Sequence, residues 1–329
     1  MTPPLAVRMM RPIAGLLAPG GRRARLSILI YHRVRPEPDP MLPGDPDAAT
    51  FRWQMETVSG LFRVLPLAEA AARLQRGSLP PRAACITFDD GYADNHDVAL
   101  PILQSLGLPA TFFVATGFLD GGMMFNDRIL ETIRRLSPGL QDLGFLGLGM
   151  REIPVEMEAR HALAMEAIRA VKHLPGEERS QRAAALQALT PSPLPRDLMM
   201  TTAQVRALDG AGMEIGGHTH THPILARLPG PAAKEEIARG KGILESMLGH
   251  RIRVFAYPNG KPGKDYGLEH VGMVRDCGFD AAVATAWGVS NASRDPFQLA
   301  RFTPWDTTPI PFALRLGRNL LRNSPDQAR

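Results

Sequence analysis

Short apolar runs, rich in β-branched and aromatic residues, recur along the chain. Longer stretches whose apolar positions follow a helical repeat lie between them. The runs predict strands at Leu26–Tyr31, Ala84–Phe88, Ala110–Ala115, Met213–Gly216, Val254–Tyr257 and Ala281–Ala284, with a last, short one at Leu299–Phe302. The helical repeats predict helices at Phe51–Phe62, Leu67–Arg76, Asp97–Leu106, Thr202–Ala211, Ala232–Leu248 and Leu268–Cys277. In Ala232–Leu248 the apolar stripe is Ile237, Leu244, Met247 and Leu248, and Gly249 supplies the stop. Strands that are apolar throughout and alternate with helices belong to a parallel sheet covered on both faces. About seven such units, with no dinucleotide-type glycine fingerprint, predict an α/β fold in the form of a distorted (β/α) barrel rather than an open sheet.

Between residues 118 and 195 the rhythm changes. The segment reads as helices at Asn126–Leu136, Val155–His173 and Glu177–Leu189, punctuated by GFLGLG and PSPLP. It predicts a helical insertion, 119–196, after the third strand of a barrel domain spanning 26–311. Such an insertion either covers the substrate site or is an inert helical excursion.

Length and composition fit this picture. The chain has 329 residues, 44% hydrophobic and 22% charged, a globular balance long enough for one barrel with an insertion. No apolar stretch approaches the roughly 20 residues of a membrane span. Cys85 and Cys277 form no metal-type pair and read as free thiols. The net charge of +5 is concentrated at the ends: +7 over residues 1–36 and +3 over 312–329, which leaves the body at −5. Basic ends on an acidic body argue against a nucleic-acid partner.

The basic N-terminal segment, 1–25, makes a poor secretory signal, because Pro12, Gly15 and Pro19 break its apolar run. The basic tail, 312–329, places Phe312, Leu316, Leu320 and Leu321 near one helical face. It reads as a terminal helix packed on the barrel, or as one lying on an anionic membrane surface. The expected location is cytoplasmic or membrane-peripheral.

The strongest chemical signal is ITFDDGYADN, residues 86–95. A buried strand runs into Asp89 and Asp90 before Gly91 turns the chain. In a barrel that end of the strand faces the active site. Adjacent carboxylates repel unless a positive group sits beside them, and a divalent metal held by one, with the other free to take a proton, meets that need. The bland alternative is a strand-end turn. The second signal is MEIGGHTHTHP, where another strand ends in glycines and offers His218, His220 and His222. Histidines four apart share one side of a helical turn, so His218 and His222 suit a shared ligand while His220 points elsewhere, as an outer-shell or exposed group. Asp90, His218 and His222 together make a three-ligand set with an open position, and Asp89 is placed to act as general base.

These motifs, in this order, resemble those of the NodB-homology polysaccharide deacetylases (the carbohydrate esterase family 4 type) over nearly the whole chain apart from the insertion and the ends. The resemblance implies Asp89 as catalytic base and Asp90, His218 and His222 as metal ligands. FAYPNG, residues 255–260, is similar to the segment whose backbone N–H holds the oxyanion, here that of Asn259. Many members carry in that motif an arginine that orients the base; the position here is Ala256, and Arg301 of LARFTPWD is the candidate to supply the charge. Many also draw their general acid from a late histidine, and none follows His270 here. LIYHRV, however, is similar to the opening of the poly-N-acetylglucosamine deacetylases, where an early histidine is the acid. That implies His32, unless it is a structural histidine under the floor of the site.

The implied activity is metal-dependent hydrolysis of N-acetyl groups on a glycan, with Zn2+ the best match to two histidines and a carboxylate and Co2+, Ni2+ or Mn2+ able to substitute. Two alternatives stay open. One is a deacetylase or deformylase of a lipid- or nucleotide-linked sugar; the other is a glycan-binding barrel without turnover. Trp305 and Asp306 are candidates to line the sugar pocket, Trp53 to pack a helix. His96, His161, His173, His250 and His270 are expected at the surface or as caps.

Overall fold

The computed structural model describes residues 5–322 and 326–328. Its barrel strands are β1 (Ser27–Tyr31), the short β2 (Arg63–Val64), β3 (Ala83–Phe88) and β4 (Thr111–Val114), then β7 (Glu214–Gly217), β8 (Val254–Ala256) and β9 (Ala281–Val283). Between β4 and β7 come helices α5 (Phe125–Arg135), α6 (Met157–Val171) and α7 (Gly176–Gln187), with a hairpin of β5 (Gly139–Asp142) and β6 (Met150–Ile153). The other helices are α1 (Leu5–Leu17), α2 (Ala48–Leu61), α3 (Leu67–Gln75), α4 (Leu100–Ser105), α8 (Thr202–Gly210), α9 (Gly230–Leu248), α10 (Leu268–Asp276) and α11 (Pro309–Leu320). The sheet runs β1-β3-β4-β7-β8-β9, all parallel, with β2 beside the start of β3. The expected Leu299–Phe302 strand is too short to form a regular ladder. It instead bridges the two edges, pairing Leu299 with Val283 and Phe302 with Leu29 in parallel. The result is the expected α/β architecture, a distorted barrel.

Side chains along each strand alternate between two cores, as the pleat requires. Ile28, Cys85, Phe113, Val254 and Val283 share one cluster with α3, which plugs the barrel interior. Leu29, Ile86, Phe112, Phe255 and Ala282 share the other, under α2, α4, α8, α9, α10 and α11. The first backbone N–H groups of α3, at Leu67 and Ala68, donate to the half-buried Glu214 carboxylate, 2.8 and 3.1 Å away. A side chain at Gly216 would meet the Phe113 ring at 2.4 Å, so the glycine of the EIGG strand is what lets that ring fill the interior.

Helix α1 and the short β2 lie where no element was expected, and three further elements differ from expectation. The β5–β6 hairpin lies where no strand was read, because its glycines, Gly139, Gly147 and Gly149, all at positive φ, look like loop punctuation. The helix expected from Asp97 begins as a π-helical turn at Asn95–Ala99 before α4. In α11, Phe312, Leu316 and Leu320 are buried, but Leu321 is 62% exposed and so leaves the face assigned to it. The α5–α7 segment has a small core of its own, distinct from the barrel's, in which Ile129, Ile133, Leu163 and Leu186 pack with the hairpin's Ile153.

Candidate active site

Five of the candidate residues lie at or just beyond the C-terminal ends of strands. His32 follows β1, Asp89 and Asp90 follow β3, His218 follows β7 and Asn259 comes just after β8. With His222 they line one cavity of about 340 Å³. Asp90, Thr219, His222 and Asn259 are all non-glycine residues at positive φ, between 55° and 78°. Such conformations cost of order 1–3 kcal/mol each and gather at functional sites. Gly91, at φ +90°, completes the turn that brings both aspartates to the cavity.

The Oδ1 atom of Asp90 lies 3.3 Å from Nε2 of both His218 and His222. It is buried and has no hydrogen-bond partner. The Nδ1 of His218 sits 2.7 Å from the carbonyl oxygen of Ala256, so Nδ1 carries the proton and the Nε2 lone pair faces Asp90. The three ligand atoms lie within 4.8 Å of one another. An orphaned carboxylate oxygen among imidazole lone pairs fits a divalent cation, and the N₂O donor set fits zinc. Burial pushes the Asp90 carboxyl up, and the imidazoles of His222 and His218 more than offset it, so the group rests well below the usual carboxylate range. Burial, the largest influence on His222, holds its imidazole down at about 4, in the neutral form a ligand needs.

Asp89 is set quite differently. Arg301, fully buried, grips both its oxygens in a bidentate pair at 2.7 and 2.7 Å. The same guanidinium donates to Thr87 Oγ1 and the Ala284 carbonyl, both at 3.2 Å. Burial raises the Asp89 carboxyl, but the Arg301 charge outweighs it, and the group stays below its ordinary value. Asn259 is half-buried, its carbonyl accepts from Thr285 Oγ1 at 2.8 Å, and its own backbone N–H has no partner among the described residues. His32 is exposed at the cavity wall rather than stacked under its floor.

Three supports were not singled out from the sequence. Asp94 receives Arg33 Nε at 2.8 Å and the Val34 N–H at 3.3 Å, and Asn95 donates to the His32 carbonyl at 2.8 Å. Both stand inside the quoted ITFDDGYADN motif, whose closing polar residues were the available signal. Glu236 of α9 accepts the backbone N–H groups of His220 and Thr221 at 3.0 and 2.7 Å and so holds the histidine turn. No local pattern marks Glu236, since it looks like any charge on a helix surface.

His220 turns away from the ligand pair to Thr116 Oγ1, 3.0 Å off. Trp53 packs edge-on against Phe312. His96 and His250 sit beside Asp97 and Asp209, His161 beside the Met41 carbonyl, and His173 is exposed. His270 caps α10 by accepting the Gly267 N–H, but it is buried. Trp305 and Asp306 do not line the cavity. Asp306 pairs with Arg315 of α11, whose guanidinium lies over the Trp305 ring, so the helix that follows draws both away from the site. Cys85 is buried and Cys277 half-buried, both free.

A candidate cation site at strand ends, with a second, arginine-held carboxylate beside it, is an arrangement suited to a metal-dependent amide hydrolase on a (β/α) barrel. The chain belongs to the polysaccharide deacetylase family, which matches residues 76–138 and 159–282. The Bacillus subtilis (strain 168) protein YxkH, a polysaccharide deacetylase by name, is 33% identical over 92 residues. That match covers 28% of this chain and about a third (32%) of the length of YxkH. Among solved structures, the Streptococcus pyogenes deacetylase PplD, in complex with acetate, is similar in fold with a TM-score of 0.59. It is 17% identical, over 90% of this chain and 98% of PplD. IcaB from Ammonifex degensii is similar with a TM-score of 0.56 and 18% identity, over 93% of this chain and 99% of IcaB.

Proposed function

We propose that this protein hydrolyses the N-acetyl amide of amino sugars in a glycan, with a divalent metal, best matched by zinc, held by Asp90, His218 and His222. The observation that carries the reading is the convergence of the unpartnered Asp90 Oδ1 with two imidazole Nε2 atoms at 3.3 Å, directly beside an Asp89 held ionised by Arg301. A bound divalent cation supplies Lewis acidity, which polarises an acyl oxygen and makes water a competent nucleophile near neutral pH. Asp89 takes the proton of the attacking water, and Arg301 holds its carboxylate in line. The free Asn259 N–H donates to the developing oxyanion. His32, at the cavity wall, protonates the departing amine. The acetate that accompanies the PplD structure is the product such a reaction would leave.

Acetate release from chitooligosaccharides by chelator-treated protein, before and after adding zinc, tests the reading. Acetate that appears only with metal supports it; tight zinc binding with no acetate from any acetylated sugar would overturn the activity. A surface role accompanies it. Ile310 and Leu314 on α11 and Leu321 just after it are exposed, near Arg318 and Arg322 in sequence, which supports contact with an anionic membrane. Sedimentation with phosphatidylglycerol vesicles, but not phosphatidylcholine vesicles, is the expected result.

A further inference from the structure

The cavity holding the candidate metal ligands has two sides. The barrel contributes Asp89, Asp90, His218, His222 and Asn259, and the α5–α7 segment contributes apolar groups such as Phe125, Met165 and Ile168 together with two cations, Lys172 and Arg179. Lys172 caps the end of α6 and Arg179 lies in the first turn of α7, and both are partly buried.

Neither cation makes an ion pair among the described residues. Among the described residues Lys172 makes no side-chain hydrogen bond or ion pair. Arg179 stacks over the Phe125 ring at 4.1 Å and touches the Lys172 carbonyl at 3.4 Å, while its Nε is buried with no partner. Elsewhere in the same cavity a cation is matched: Arg33 pairs with Asp94 at 2.8 Å. The two acids that line the cavity besides the aspartate pair, Asp45 and Asp127, interact with Arg33 rather than with Lys172 or Arg179. Asp265, the one carboxylate that acts on Lys172, is offset by Lys261 and Lys264 and accepts the Lys261 N–H. Partly burying an ammonium and a guanidinium without a counter-charge costs free energy that the fold does not recover internally. Burial accordingly holds both groups below their ordinary values.

We infer that Lys172 and Arg179 form an anion subsite, and that the substrate is an acetamido sugar bearing a phosphate ester or diphosphate. A point-charge ammonium beside a forked guanidinium suits phosphate oxygens. The apolar wall of Phe125, Met165 and Ile168 then lies against whatever the phosphate carries. This inference rests on the deacetylase reading and narrows its substrate class from acetylated amino sugars of a glycan to those linked to phosphate. A lipid diphosphate and a nucleotide diphosphate present the same chemistry at this point.

The test compares zinc-loaded protein on three acetamido substrates: a polyprenyl-diphosphate sugar, a uridine-diphosphate sugar and a neutral chitooligosaccharide. The wild type is expected to favour one of the two diphosphates over the neutral sugar in kcat/KM, and the one favoured identifies the carrier. Lys172→Gln and Arg179→Gln should each lower the ratio of diphosphate to neutral kcat/KM at least tenfold, through KM. Lys172→Arg should recover most of the ratio. A wild-type preference for the neutral sugar, or a ratio unmoved by both Gln variants, overturns the subsite. If no substrate yields acetate, it is the deacetylase reading that fails. The subsite is then decided by calorimetry with N-acetylglucosamine 1-phosphate, where binding lost in Lys172→Gln upholds it and equal binding overturns it.

Discussion

The two sides of the cavity solve the problem of buried charge in opposite ways. On the barrel side each charge has its place: Asp89 is gripped by Arg301, and the unpartnered Asp90 oxygen stands with two imidazole nitrogens as a set that a cation would complete. On the side of α5–α7 the charges have no such match. Lys172 and Arg179 make no ion pair among the described residues, and Asp127, buried on α5 with the Tyr92 hydroxyl at 3.1 Å, is pushed up to about 7, burial outweighing the Arg33 charge. The matched side is preorganised for chemistry, since its groups stay ionised and fixed before any substrate arrives. The unmatched side keeps its unpaired charge for something that comes from outside.

The contrast can be broken experimentally. Asp89→Asn should retain the metal and cut kcat by on the order of 10²–10⁴-fold; a near-wild-type rate in a stopped acetate assay would remove Asp89 from the role of base. Arg301→Met should destabilise by about 3–5 kcal/mol in urea titrations near neutral pH, because it strands a buried carboxylate. Arg301 holds the folded-state Asp89 below its ordinary value, so its stabilisation is present above the unfolded carboxylate range and lost as pH falls through it. The gap between wild type and Arg301→Met should therefore narrow toward pH 3.

Asp127 has the reverse sign. Its folded value is raised, so its contribution is complete below the unfolded value of about 3.9 and lost as pH rises through about 7. Asp127→Asn should remove that slope, on the order of 3 kcal/mol between pH 4 and 8; parallel wild-type and variant melting curves over that range would show Asp127 to be matched after all. Smallest is Glu236→Gln, which loosens the histidine turn without touching a ligand. About tenfold weaker zinc affinity in a competition titration is expected.

The same division governs what could be read in advance. The barrel side is legible because its chemistry needs neighbours in sequence. Asp89 sits beside Asp90, and His218 lies four residues before His222, each pair at the end of an apolar run. Arg301 was reachable only as a replacement for a charge missing at Ala256, since 212 residues separate it from its partner. Lys172 and Arg179 look like ordinary solvated helix charges, and only tertiary packing shows where they face. Leu299–Phe302 was legible as apolar sequence but not as a bridge between sheet edges. Trp305 and Asp306 were misplaced because nothing local announces that Arg315 of the next helix will claim them.

The position of Arg301 also bears on how the molecule is made. A ribosome delivers Asp89, Asp90, His218 and His222 long before the arginine that pairs with Asp89. Until the strand-like segment at 299–302 has emerged and seated between β9 and β1, the nascent barrel carries a carboxylate at its centre with no cation to meet it. Closing a loop of 212 residues is entropically slow to reward. Completion of the sheet and pairing of Asp89 with Arg301 thus become one late event in the making of the molecule.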